Sequence, residues 1–399
     1  MQNSKRLYSL YIPWTGIIIY CVSLLAIAII RKKPWGDEVH YIATIKLMAE
    51  NLSWHAFVHY PEINGPLSFF CYALWGKIFG FGLFSLRILT IIMAITGIVV
   101  FYNLFKNQFT HWYWGFAVVA SVYMTPYVYG MSIFVFPDPL TLCCIALTVS
   151  GFVKKKAVVF TLAAAAMLIS KQYTIFVLCA IGGTTLINVF ILDKKEDLKF
   201  IMLSILAFLP LSVLITIWRG IAPPEGIKIW DASIGVGFHP SYLNAYLSMI
   251  VVYALPANLI ALSRIRLKLW MVPASILSLV WYAIFPIQPS RVTLLQTEFT
   301  TIGFFHRLLN RIIGHELIVH GVMAFLFCIG LYMFVNICLD LYKRIRQPDS
   351  STFLLAYDMI IISFFCVMPF SFHVWEKYLM FVLPFWAVRQ VLFETRVRS

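Results

Sequence analysis

Charged side chains are scarce in this chain. Of its 399 residues only 12% are Asp, Glu, Lys or Arg, where a soluble domain carries about 25%. Acids are the scarcest, 17 against 31 lysines and arginines. A surface this poor in charge cannot be kept in water, so the composition argues against a soluble globular protein. The sequence has no CxxC pair and no extracellular-type cysteine spacing. Seven of the 8 cysteines, all but Cys71, fall inside apolar runs, so neither a zinc ribbon nor a disulfide framework is expected. The first apolar run ends in Arg31-Lys32-Lys33 without a small-residue cleavage site, so no removable signal peptide is expected. No glycine-rich nucleotide loop follows a strand pattern, which speaks against a cytoplasmic nucleotide-sugar enzyme.

What the chain has is apolar length. Hydrophobic residues make up 61% and the mean hydropathy is +0.85. In lipid every backbone polar group needs an internal partner, so long apolar runs become helices. Twelve spans are expected, near 13–30, 84–105, 113–132, 138–153, 156–170, 172–192, 199–218, 242–262, 270–287, 317–339, 352–370 and 378–392. The fold class is therefore all-α: one polytopic helical bundle over residues 1–399. The net charge of +14 sits mainly in short loops, where orientation and lipid headgroups explain it better than nucleic acid. Lys106, Lys154–Lys156, Lys194, Lys195, Lys343, Arg344 and Arg346 cluster in alternate loops and mark the cytoplasmic side. Arg31–Lys33 run against that assignment.

The other side carries the long loops, 31–83, 219–241 and 288–316, and every histidine except His111. Within the first loop, 37–52 and 66–80 read as two amphipathic helices lying in the membrane interface. At its start stand two adjacent acids, Asp37 and Glu38. Carboxylates at a membrane surface are costly to desolvate, which suits a general base, although the same pair would serve as plain helix N-cap acids. His55 and His59 share a helical spacing, but no third ligand accompanies them, so no bound metal is expected. No cofactor is expected either, and spacing does not support a divalent cation.

Several motifs together resemble a known family. Asp37-Glu38, Asn64-Gly65-Pro66-Leu67, Ile78-Phe79-Gly80 and Ser85-Leu86-Arg87 are similar to the first-loop pattern of the GT-C superfamily. These are membrane glycosyltransferases that use lipid-phosphate-linked sugars, here resembling the protein mannosyltransferase and aminoarabinose transferase group. That group has Lys-Pro-Pro where this chain has Asn-Gly-Pro. Phe136-Pro137-Asp138-Pro139 and Ser170-Lys171-Gln172-Tyr173-Thr174 resemble in part the dolichyl-phosphate-glucose α-1,2-glucosyltransferases. His373-Val374-Trp375-Glu376-Lys377-Tyr378, ahead of Pro384, resembles the last outer loop of GT-C enzymes.

The resemblance implies transfer of a sugar from a polyprenyl phosphate to an acceptor hydroxyl or amine on the non-cytoplasmic face. The acceptor would be a lipid-linked, glycan or protein group, and membrane lipids rather than nucleic acid would be the other partners. Asp37 would be the base, with Glu38 orienting the acceptor or taking over. Lys171, Lys377 and His373 would hold the donor phosphate, with Arg291, Arg307 and Arg311 as rivals. Asp138, Gln172, Glu376 and Tyr378 would orient substrate. A bacterial inner membrane with the site facing the periplasm is the expected location, and the endoplasmic reticulum lumen is the alternative. The contrasting reading is a multispanning lipid or solute transporter. Unlike halves and polar residues gathered in outer loops weigh against it.

Overall fold

The computed structural model describes residues 2–109, 111–230, 237–263, 271–290, 294, 301–347 and 351–395. Every regular element among them is helical. Six helices are long and apolar enough to cross a membrane: Ile12–Ile30, Leu83–Phe105, Gln172–Phe190, Lys195–Trp218, Glu316–Ile345 and Thr352–Phe370. A bent pair, Pro240–Tyr253 and Leu255–Leu262, makes a seventh if it is one span. Shorter apolar helices fill most of the remaining expected spans, at Tyr113–Tyr123, Asp138–Val153, Ala157–Ser170 and Val272–Ile284. Large side chains such as Ile18, Ile19, Leu162, Phe190 and Leu209 point outward on these elements, the surface expected where lipid is the solvent.

Two expected spans are broken, and proline explains both. The run 113–132 ends at Tyr123 and restarts as Pro126–Met131. Thr125, just before the proline, is forced out of the helical region to φ −65°, ψ 145°. The run 242–262 bends by 88° at Ala254, and Pro256 opens its second piece. The last expected span begins as a 3-10 helix, Glu376–Phe381, before the helix Leu383–Thr395.

The chain divides into two compact units, Met1–Thr174 with Met202–Ile229, and Ile175–Ile201 with Trp230–Ser399. In the first, Leu83–Phe105 packs on Asp138–Val153, which packs on Ala157–Ser170. The first loop folds against this layer. Its helices Glu38–Glu50 and Pro66–Phe79 lie against each other, the second started by Pro66 and closed by Gly80 at φ +88°. In the second unit, Ile175–Phe190 packs on Thr352–Val367 and Pro240–Tyr253 on Glu316–Ile345. A buried ionic cluster ties its helices. Asp358 accepts from Arg344 at 2.5 Å and Arg389 at 2.6 Å, and Arg389 also reaches Asp340 at 2.7 Å. Asp358 thus finds its partners inside the bundle, as a charge in an apolar run must.

Candidate active site

The two adjacent acids of the first loop have opposite environments. Glu38 is wholly buried. Its Oε1 accepts from Arg87 Nε at 2.9 Å and from the Val135 N–H at 2.8 Å. Its Oε2 accepts from Arg87 Nη2 at 2.7 Å and from the Trp35 N–H at 2.8 Å. A planar guanidinium meets a carboxylate in this two-point fashion better than any other side chain. Arg87 is equally buried and also donates to the carbonyls of Ala28, Arg31 and Lys33. It is therefore not an interface arginine reaching for headgroups. It staples the end of the first span and the start of the first loop onto helix Leu83–Phe105, and Glu38 adds the Val135 backbone to the same cluster. Phe134 packs over the guanidinium at 5.0 Å and stacks on Trp35 at 5.0 Å.

Asp37 precedes helix Glu38–Glu50 but makes no side-chain cap bond. Its side chain is 42% exposed and lies 3.9 Å from His40 Nε2. The N-cap alternative is thus not realised in its hydrogen bonding. His40 turns its other nitrogen, Nδ1, to Glu62 Oε1 at 2.6 Å. Glu62 is buried and also accepts from Thr44 Oγ1 at 3.2 Å. Burial opposes the charged form of His40, but the nearby carboxylates of Asp37 and Glu62 outweigh it and raise its pKa to about 9. Burial raises Glu62 too, while His40 and Thr44 pull it back. His40 and Glu62 were not among the sequence candidates. The signal for His40 was its position three residues after Asp37, one helical turn on.

The other motifs of the first unit converge on the same loop. Gly65 donates its N–H to the Ser170 carbonyl at 3.0 Å, and Gln172 Nε2 donates to the Ile63 carbonyl at 3.2 Å. A Cβ on Gly65 would fall 1.8 Å from the Ile169 carbonyl oxygen. That approach of two backbones demands glycine. The Asn64-Gly65-Pro66 turn is therefore seated on the Ser170-Lys171-Gln172 turn. Gly226 does the same from the far side of the sequence, where a Cβ would meet the Glu62 carbonyl oxygen at 2.4 Å. Asn64 is held by Tyr60, whose hydroxyl donates to its carbonyl at 2.8 Å, and by Tyr41, which accepts from its Nδ2 at 3.3 Å.

Lys171 and Asp138, expected in separate roles, meet each other. Lys171 Nζ lies 2.9 Å from Asp138 Oδ1, and both side chains are buried. Asp138 Oδ2 is also buried and accepts no hydrogen bond among the described residues.

The last-loop candidates belong to the second unit. Glu376 is buried and accepts from the Tyr253 hydroxyl at 2.5 Å and from the N–H groups of Phe305 and His306 at 2.9 and 2.8 Å. Those two N–H groups open helix Phe304–Ile313, so Glu376 caps it from a distant point in the chain. Burial raises the Glu376 pKa against the pull of these donors. His373 Nδ1 lies 2.7 Å from Ser290 Oγ, and its ring stacks on Trp375 at 5.4 Å. Tyr378 is buried beside it, and Lys377, half-buried, lies over the Tyr378 ring at 6.0 Å. Arg307 and Arg311 are exposed on helix Phe304–Ile313, and Arg291 lies outside the described residues. Among the described residues no group of three His, Cys, Asp or Glu is placed to hold a metal ion. His55 and His59 sit ring to ring at 4.5 Å, with His59 3.5 Å from Glu225.

No protein-family model and no curated protein matches this chain. Among solved structures, it is similar to the crystal structure of ArnT from Cupriavidus metallidurans bound to undecaprenyl phosphate. The TM-score is 0.46 at 12% identity, covering 96% of this chain and 77% of that one. The apo structure of the same protein gives 0.44 at 12% identity with the same coverage.

Proposed function

We propose that this protein is a membrane glycosyltransferase that moves a sugar from a polyprenyl-phosphate carrier to an acceptor hydroxyl or amine on the non-cytoplasmic face, with Asp37 as the general base. The observation that carries the reading is the division of labour between neighbouring acids. Glu38 has all its acceptor capacity on one side taken by a buried arginine and two backbone N–H groups. It is an anchor, and it holds the residue before it at a fixed place on the loop surface. Asp37 is the member of the pair that a substrate can reach. A base needs both access and a fixed position, and the two acids supply one each.

In the reaction so read, Asp37 takes the proton from the acceptor as its oxygen or nitrogen attacks the anomeric carbon. The bond from that carbon to the phosphate oxygen breaks, and polyprenyl phosphate leaves with the electron pair. The phosphate is already a good leaving group, so no general acid is required, and one displacement inverts the anomeric centre. The choice of a lipid-phosphate donor rests on the resemblance of the first-loop motifs to the GT-C pattern and on an apolar chain with polar loops gathered on one side. For Lys377 and His373, in the second unit, the proposed phosphate role rests on the sequence resemblance alone. Lys171 is already neutralised by Asp138, so we assign this pair to holding the turn beneath Asn64-Gly65. The periplasmic side of a bacterial inner membrane is the proposed location.

The test supplies purified protein with radiolabelled polyprenyl-phosphate sugars and a lipid-linked or glycan acceptor, and compares wild type with Asp37→Asn. Transfer by the wild type and its loss in the variant is expected, at a cost of at least about a hundredfold. Undiminished transfer by the variant removes Asp37 from the base role. Movement of lipid-linked sugar across sealed vesicles without a new glycosidic bond would favour a transporter.

A further inference from the structure

The first loop holds a third acid–base group beside Asp37. Asp37, His40 and Glu62 form a line, with the imidazole between two carboxylates: Nε2 toward Asp37 Oδ1 at 3.9 Å and Nδ1 on Glu62 Oε1 at 2.6 Å. The three differ in exposure, Asp37 42%, His40 31% and Glu62 2%. The line therefore runs from the loop surface inward. Glu62 is fixed from two further directions, by the Thr44 hydroxyl and by the close approach of the Gly226 backbone to its own carbonyl. A buried carboxylate with one hydroxyl donor and one imidazole is poorly solvated unless the imidazole is charged.

We propose that His40, clamped on its inner nitrogen by Glu62, is a positioning residue that orients the Asp37 carboxylate toward the acceptor. The inference rests on the reading of Asp37 as the base. Glu62 fixes which nitrogen points outward, so the outer N–H is directed at Asp37. The pair His40–Glu62 is neutral as a unit when His40 is charged, and the trio then keeps one net negative charge, on its exposed end. That places the acceptor-facing charge on Asp37, and at 3.9 Å the charged imidazole biases the carboxylate by electrostatic attraction rather than by a hydrogen bond. The groups that face His40 are Asp37 and the Tyr41 ring from its own helix, and Glu62 with Thr44 behind it; Tyr60 lies close enough to Glu62 to feel its charge. Loss of the His40 proton, at a pKa of about 9 in this setting, releases Asp37 and leaves the trio with a second negative charge.

The experiment is the pH profile of transfer, at saturating acceptor and polyprenyl-phosphate sugar, for wild type, His40→Gln, His40→Arg and Glu62→Gln, with Asp37→Asn in parallel. The wild type is expected to lose kcat on an alkaline limb near pH 9. His40→Gln should lower kcat near neutrality by about ten- to a hundredfold, with KM for the donor little changed, because only positioning is lost. His40→Arg carries a charge that does not titrate, so it should restore part of kcat and abolish the alkaline limb. Glu62→Gln should move the limb down toward the ordinary histidine value of 6.5. If His40→Gln does not fold, the other two variants still decide. A limb unmoved in both His40→Arg and Glu62→Gln overturns the role of His40. If Asp37→Asn transfers sugar normally, the underlying assignment of the base fails instead.

Discussion

Replacing Glu38 by glutamine exchanges one carboxylate oxygen for an NH2 group and keeps the shape. The structure makes this small change severe. Each Glu38 oxygen receives two donors, Arg87 Nε with the Val135 N–H on one, Arg87 Nη2 with the Trp35 N–H on the other. Whichever way the amide is turned, its NH2 faces two N–H groups instead of accepting from them. The arginine is then left as a buried charge with no counter-ion. Breaking such a pair from one side costs about 3–5 kcal/mol. At about 1.4 kcal/mol per decade, that is a rise of roughly a hundred- to a few-thousandfold in the opened fraction of the first unit. Cys144, buried in helix Asp138–Val153 of that unit, reports the opening. In a protein keeping Cys144 as its sole cysteine, the rate of thiol alkylation in mild detergent should rise by that factor with Glu38→Gln. Asp37→Asn, one residue away and half-exposed, should leave the labelling rate almost unchanged, within about 0.5 kcal/mol, while abolishing transfer. If Glu38→Gln labels at the wild-type rate and loses transfer as Asp37→Asn does, Glu38 takes part in the chemistry and the anchor reading is wrong.

The Lys171–Asp138 pair should behave as a unit. Lys171→Met or Asp138→Leu alone should cost about 3–5 kcal/mol, while the double variant recovers most of it, read as the fraction of monodisperse protein after heating. Transfer by the refolded double variant would show the pair to be structural, and its absence would return Lys171 to the donor phosphate. Gly65→Ala drives a Cβ into the Ile169 carbonyl, 1.8 Å away before relaxation. It should separate the two turns at about 1–3 kcal/mol and lower transfer, with the same Cys144 labelling as the check. In the second unit, Glu376→Ala removes the acceptor for two N–H groups of helix Phe304–Ile313. Trypsin should then cut faster after Arg307 and Arg311, by mass spectrometry of the fragments, and unchanged cleavage would refute the capping role. Stability of the first loop should also depend on pH. The folded His40 pKa of about 9 lies above its ordinary 6.5, so its contribution is complete below pH 6.5 and is lost as the pH rises through 9. The protection factor of helix Glu38–Glu50 against hydrogen exchange, with the intrinsic pH dependence divided out, should fall over that window in the wild type and stay level in His40→Gln.

The helices were legible because hydropathy is a local property, and a run such as 84–105 needs no partner to be recognised. The breaks at Pro126 and Pro256 do not show in hydropathy, because an average over apolar residues is blind to a missing N–H. The pairings are a different matter. Lys171 carries no mark that it belongs to Asp138 rather than to a phosphate, since their meeting depends on how Asp138–Val153 and Ala157–Ser170 pack. Glu376 reads equally well as a substrate contact and as the distant cap it is. The acid pair was legible in one respect that spacing alone could have supplied. Successive residues at a helix start are turned by about 100°, so Asp37 and Glu38 cannot share an environment, and one of them had to face the bundle. Which one follows from Arg87, which lies in the motif Ser85-Leu86-Arg87 and takes Glu38 as its partner. An arginine and a glutamate from separate motifs pair with each other in the fold. On the proposed reading, the motif pattern of the first loop is one structural device that presents a single carboxylate, with Asn64-Gly65 and Lys171-Gln172 as its seat and His40 as its guide.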